Sequence, residues 1–152
     1  MTTTIYFYGK TDDYGCFANT SDHGFTVDGR YWRSVEHFYQ AHKFADPAWT
    51  ERIRQARTVR EARALGQSRK VLIRADWDSA RDAVMVTAVK AKIAAHPEVR
   101  RTLLETGEAL LVEASPYDHY WGCGADGTGA NRLGQILMQI RSELRAGPVE
   151  GG

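Results

Sequence analysis

The chain carries only two cysteines and four prolines in 152 residues. Cys16 and Cys123 stand far apart and form no C-x-x-C unit, which excludes a disulfide framework and a zinc knuckle. Free thiols suit a reducing cytoplasm, and a cytoplasmic location is expected. No apolar run approaches the roughly 18 residues of a membrane-spanning helix. Met1-Thr2-Thr3-Thr4 also lacks the basic and apolar regions of a signal peptide, so no membrane partner is expected. Ligand patterns for a metal are missing as well. There is no H-E-x-x-H, His37 and His42 fall on different sides of a helix, and His23, His96 and His119 show no ligand-like spacing. Without G-x-S-x-G there is no nucleophile elbow, and without Gly-Lys-Ser/Thr there is no P-loop.

The length is too short for two ordinary domains, and 43% hydrophobic content suffices for one core. One domain over residues 1–146 is expected, with 147–152 as a flexible tail. Ile5–Tyr8 reads as a strand by its aromatic and branched content. Phe25-Thr26-Val27 and Arg30-Tyr31-Trp32 flank Asp28-Gly29, a type I′ hairpin signal. Asp46-Pro47 and the Thr58-x-x-Glu61 capping box open two short helices, the second ending at Gly66. A longer helix is expected from Asp78 or Ser79 to His96, and another from Pro97 to Thr106-Gly107. Residues 109–114 read as a buried strand, and Leu133, Ile136, Leu137, Ile140 and Leu144 mark a final amphipathic helix. Helices interrupting a few strands without βαβ alternation predict an α+β class, a compact, mainly helical domain with a small sheet.

Two stretches concentrate polar chemistry. In Trp32-Arg33-Ser34-Val35-Glu36-His37-Phe38-Tyr39-Gln40-Ala41-His42-Lys43-Phe44, Ser34 predicts an N-cap and the helix is expected to run to Asp46-Pro47. Glu36 and Lys43 then stand two turns apart on one face, with Tyr39 and Gln40 between them. Glu36 also lies in the first turn, where the macrodipole favours an anion by about 0.3–1 kcal/mol. The stripe serves either as a reactive site or as a dipole-complementing, solvated face. The second stretch, Asp118 to Asn131, is a glycine-rich loop feeding the last helix, with Asn131 at its N-cap position. Its Gly122-Cys123-Gly124-Ala125-Asp126-Gly127 spells G-x-G-x-x-G, yet no second parallel strand can follow a C-terminal helix, which excludes a dinucleotide unit. The loop is either a backbone cradle for an anion beside Trp121, Asp118 and Asp126, or a set of tight turns that need glycine.

Charge is patterned too. Arg52, Arg54, Arg57, Arg60, Arg63, Arg69, Lys70 and Arg74 face a single anion, Glu61, within residues 52–74 of a chain whose net charge is +1. Such a segment gathers phosphates or forms a solvated face. It lacks an acid/base partner of its own in sequence. Of the 16 aromatic residues, 12 lie in the first 49, more than a small core needs there, which leaves rings for stacking.

Trp32 through Phe44, with Asp76-Trp77, Thr106-Gly107, Glu113, Asp118, Tyr120-Trp121-Gly122, Asp126-Gly127, Gly129, Asn131, Leu133-Gly134, Leu137-Met138 and Arg141, resembles the NADAR family, which includes YbiA-like N-glycosidases. The resemblance spans nearly the whole chain and includes the long, ordered motifs W-x-S-x-E-H-x-Y-Q-A-x-K-F and W-G-x-G-x-D-G-x-G-x-N-x-L-G. One departure is Phe17-Ala18-Asn19-Thr20, where the family often has Phe-Ser-Asn-Phe. The resemblance implies cleavage of an N-glycosidic bond at a ribose without metal or organic cofactor. Substrates implied are ribosylamino-pyrimidine intermediates of riboflavin synthesis or ADP-ribosylated guanine, with nucleic acid a partner only as modified substrate.

Such cleavage develops oxocarbenium character, so it needs an anion near the anomeric carbon, an activated nucleophile and help for the leaving nitrogen. Glu36 suits either of the first two needs. Lys43 would pair with Glu36, hold a phosphate or attack the opened sugar as a Schiff-base nucleophile. Asp118 or Asp126 would supply a second carboxylate. Trp32, Tyr39, Gln40, Trp77, Glu113, Trp121, Gly122, Gly127, Gly129 and Asn131 complete the expected substrate-binding set. A module that binds ADP-ribose or modified nucleic acid without cleaving it is the alternative.

Overall fold

Residues 2–147 are described in the computed structural model, where helices interrupt short strands in an α+β arrangement. They form two compact units, residues 19–95 and residues 2–18 with 96–147.

Within residues 19–95, β2 (Phe25–Val27) and β3 (Arg30–Trp32) pair antiparallel with Phe25 opposite Trp32. Asp28 and Gly29 have φ of 52° and 79°, as a type I′ turn requires. The hairpin feeds α1 (Val35–Ala41), whose N-cap Ser34 accepts the His37 N–H. α1 buries Val35, Phe38 and Ala41 and packs on α2 (Pro47–Arg54), α3 (Val59–Gly66) and α4 (Trp77–Ala95). Asp46 caps α2 and Thr58 caps α3, as the sequence predicts. Glu61, however, closes its box on the Arg57 N–H.

α1 is shorter than expected. The ring of His42 donates from Nδ1 to the Phe38 carbonyl at 2.7 Å, and Lys43 and Phe44 N–H groups turn inward to Gln40 and Ala41. The Lys43 carbonyl then accepts the Arg74 N–H at 2.8 Å while Phe44 bridges Ile73. The Lys43 carbonyl has no helical partner to gain, since Pro47 lacks an N–H, and the tertiary strand-like contact satisfies it instead.

In the other unit, β1 (Thr4–Phe7) and β4 (Leu110–Glu113) pair in parallel, Thr4 opposite Leu110 and Phe7 opposite Glu113. The expected small sheet is therefore two separate two-stranded sheets. β4 is only half-buried, with Leu111 fully enclosed and Leu110 47% exposed, because successive residues point to opposite faces. α5 (Pro97–Glu105) ends at Thr106-Gly107, where Gly107 takes φ 63°. α6 (Arg132–Ala146) buries Leu133, Ile136, Leu137 and Ile140. Its Arg141, also buried, donates to Thr106 Oγ1 at 2.8 Å. Beyond Gly147, the expected tail lies outside the described residues.

Candidate active site

Glu36, the second residue of α1, is buried yet carries a carboxylate. Its Oε2 accepts Gln40 Nε2–H at 2.8 Å, one helical turn on, and Arg63 Nε–H at 3.1 Å from α3. The same Gln40 presents Oε1 to Lys43 Nζ at 3.4 Å. Lys43 also donates to the Gly66 carbonyl at 2.7 Å, at the last residue of α3. The Gln40 amide has one orientation that fits, since an ammonium only donates and a carboxylate only accepts. Carboxylate, amide and amine therefore form one chain of hydrogen bonds. Lys43 joins it from the turn after α1, not from the helical stripe that the sequence suggests.

Burial pushes the Lys43 amine below its ordinary range, and the Glu36 anion pulls it back in part. The Gly66 carbonyl lies at the negative end of α3, which favours a cation there. The amine is thus held by a neutral acceptor and one bridged anion.

Tyr39 and Trp77 stand together, with ring centroids 5.1 Å apart. Trp32 does not join them. Its ring is buried, packs edge-on to Phe38 at 5.1 Å and lies 5.4 Å from His42, so it belongs to the aromatic core. Gly66 and Arg63 are the residues that sequence reasoning missed. The signal was available in part: the capping box sets the register of α3, and positions 63 and 66 then share a face.

The basic segment divides in the structure. Arg54 pairs with Glu51, Arg63 with Glu36 and Arg74 with Asp76. Two hydrogen bonds from Arg54 are the main reason the Glu51 carboxyl falls to about 2. Arg52 lies over the Trp49 ring at 5.0 Å. Arg57, Arg60, Arg69 and Lys70 are exposed. The expectation that these charges lack an acid/base partner is therefore corrected for Arg63, which reaches Glu36 through tertiary packing.

The glycine-rich loop of the other unit is a self-bonded structure, not an open anion cradle. N–H groups of Gly129, Ala130, Asn131, Arg132 and Leu133 donate to carbonyls of Cys123, His119, Gly122, Tyr120 and Trp121 respectively. At the start of α6 the Asn131, Arg132 and Leu133 N–H groups, which would otherwise face an anion, are spent on the loop. Two glycines make this folding-back possible. A Cβ at Gly129 would lie 2.6 Å from the Gly122 carbonyl oxygen, and one at Gly122 would lie 2.6 Å from Glu113 Oε2. Asn131 occupies the N-cap position, but its side chain does not cap. Instead Nδ2 donates to the Leu111 carbonyl and Oδ1 accepts the Glu113 N–H, both at 2.9 Å, which clasps the loop to β4. Its backbone sits at φ 54°, ψ 43° to do so.

Asp118 turns inward as well, one oxygen accepting both Tyr120 N–H at 2.9 Å and Trp121 N–H at 2.7 Å. Trp121 is buried, its ring 4.8 Å from Tyr120. Asp126 is exposed and accepts from the Thr128 N–H and hydroxyl, which hold its carboxyl below the usual range. Gly127 supplies φ 79° to that exposed turn. An exposed, firmly ionised carboxylate is a poor general acid.

Comparison with known proteins matches the family model described as the NADAR domain to residues 6–145. An N-glycosidase of Nostoc punctiforme is 47% identical over 145 residues, covering 93% of each chain. N-glycosidase YbiA of Escherichia coli strain K12 is 42% identical over 142 residues, 93% of this chain and 89% of that protein. The NMR structure of Escherichia coli YbiA superposes with a TM-score of 0.91 at 40% identity, covering 100% of this chain and 91% of that one. The chloroplastic riboflavin biosynthesis protein PYRR of Zea mays is 40% identical over 158 residues, 94% of this chain but 25% of that protein.

Proposed function

The chain belongs to the NADAR domain family, and we propose that within it this N-glycosyl hydrolase cleaves the bond between C1 of a phosphorylated ribose and an amine nitrogen on a pyrimidine, as in riboflavin-pathway ribosylamines. The observation that carries the reading is the Glu36–Gln40–Lys43 chain, a buried anion and a half-buried amine joined through one amide. The riboflavin name of the maize relative supports the pyrimidine substrate over ADP-ribosylated guanine. Relatives named as N-glycosidases favour catalysis over a binding module.

In the reaction the C1–N pair of electrons leaves with nitrogen, which takes up a proton, and C1 develops positive charge. The Glu36 carboxylate stabilises that charge and accepts a proton from the water that adds to C1. Arg63 and Gln40 aim the Glu36 carboxylate. Lys43, when protonated, supplies the proton to the leaving nitrogen. Exposed Arg57 and Arg60 attract the phosphate.

A second reading has its own support in the lowered basicity of Lys43. As a free amine it adds to C1 of the ring-opened sugar, the base nitrogen leaves with a proton, and water hydrolyses the resulting imine. Borohydride added during turnover separates the two. A reduced sugar adduct on Lys43 establishes the imine, and unmodified Lys43 with full turnover establishes direct attack by water. Release of free base from a ribosylamino-pyrimidine 5′-phosphate and from guanine-ADP-ribosylated DNA should be compared. Turnover of only the DNA would overturn the proposed substrate class.

A further inference from the structure

Gly66 ends α3 in a buried position, and it has no positive φ that would call for glycine. What excludes a side chain there is Gln40: a Cβ on residue 66 would lie 2.0 Å from Gln40 Oε1 and 2.8 Å from its Cδ. The missing methyl group makes room for the amide that links Glu36 to Lys43, and the carbonyl of the same residue accepts the Lys43 amine at 2.7 Å. One turn earlier Arg63 holds Glu36. The final turn of α3 therefore touches all three members of the chain, from an element whose sequence looks like a solvated basic helix.

We propose that Gly66 is a positioning residue of the glycosidase reaction, acting through Gln40 and the Lys43 amine to keep them in register with Glu36. The proposal rests on the assignment of the chemistry to Glu36 and Lys43. Alanine is a better helix former than glycine, and the two atoms nearest its Cβ belong to the flexible end of Gln40, with Gln40 Cβ next at 3.0 Å, so Gly66→Ala should fold while displacing the amide.

The test is steady-state kinetics on wild type, Gly66→Ala, Gln40→Ala, the double variant Gly66→Ala/Gln40→Ala and Glu36→Gln, with thermal unfolding measured on each. Gly66→Ala should lose about 10- to 100-fold in kcat, the scale of a displacement near 1 Å, with KM changed less than about threefold. Its unfolding temperature should stay near wild type. Because Gly66 acts through Gln40, the double variant should turn over no more slowly than Gln40→Ala alone. Removing the amide relieves the two shortest contacts and leaves the one to Gln40 Cβ at 3.0 Å, so the double variant keeps the test valid if Gly66→Ala unfolds. Full kcat in Gly66→Ala, or losses that multiply in the double variant, would overturn the proposal alone. Normal turnover in Glu36→Gln would overturn the site assignment and the proposal with it.

Discussion

Arg63 Nε donates to Glu36 Oε2 at 3.1 Å across 27 positions of sequence, joining a half-exposed guanidinium to a nearly enclosed carboxylate. The pair gives an otherwise costly buried charge a partner, and it leaves one face of the arginine in water. Solvent screening keeps its contribution to folding small, within about 1 kcal/mol. Its larger effect is on the direction in which the carboxylate points.

Glu36→Gln should retain the fold and lose the chemistry. Gln is nearly isosteric, can still accept from Arg63, and forfeits a dipole complement of about 0.3–1 kcal/mol. Loss of an anion beside a developing cation costs several kcal/mol in a dry site, a rate factor of roughly 100 or more. Turnover measured beside thermal unfolding decides the matter; a variant with wild-type kcat would return Glu36 to a purely structural role.

Charge reversal at Arg57 and Arg60 should weaken binding of a phosphorylated substrate and flatten its dependence on salt. Both residues are exposed, and each acts through long-range attraction that ions screen over about 10 Å at 0.1 M salt. Expected is a raised KM at low salt that converges on wild type at high salt. Identical KM values across the series would assign this part of the basic segment to solubility.

His37 should make stability fall on the acid side of neutrality. It is buried, its Nε2–H donates to the Ala56 carbonyl at 3.0 Å, and its Nδ1 accepts from Ser34 Oγ at 2.7 Å, an arrangement that fits the neutral ring. Burial is the main cause that holds its pKa below 6.5, with the Ala56 bond opposing. The unfolded chain therefore binds the proton first. Stability is complete above the unfolded value and drains away as pH falls from about 6.5 toward the folded value. His42, lowered by burial in the same way, adds to the slope. Denaturant unfolding between pH 7.5 and 5 should show a shallower decline in His37→Gln; an unchanged slope would exclude His37 as its source.

Asn131→Ala should destabilise the protein more than it impairs ligand contact. The substitution strands the Leu111 carbonyl and the Glu113 N–H, for which about 1–3 kcal/mol is expected when such groups are buried. It also places alanine at positive φ. A fall in unfolding temperature with little change in KM supports the clasp. Weakened binding with no loss of stability would restore the ligand role that the sequence suggests.

Local chemistry was legible where neighbours in sequence decide it. The Asp28-Gly29 turn, the caps at Ser34, Asp46 and Thr58, and the apolar stripe of α6 each follow from residues within four positions of one another. Glu36, Gln40 and Lys43 were recognisable for the same reason, whereas the contact of Tyr39 with Trp77 was not. The loop glycines could be seen to need freedom, but periodicity could not tell a cradle from a knot of internal hydrogen bonds.

By itself, then, the sequence determined the class of fold, the family motifs and the closeness of Glu36 to Gln40, because propensity, capping and helical spacing act over one or two turns. Only the tertiary structure decided that α1 stops at Ala41, where Ile73 and Arg74 claim its next backbone groups. It likewise decided that Trp32 fills the core, that Asn131 clasps β4, and that Arg63 and Gly66 from a basic helix complete the Glu36 site. Each of these outcomes depends on which polar group satisfies which partner at long range. Hydrogen bonds across 27 or 23 residues leave no periodic trace in a chain.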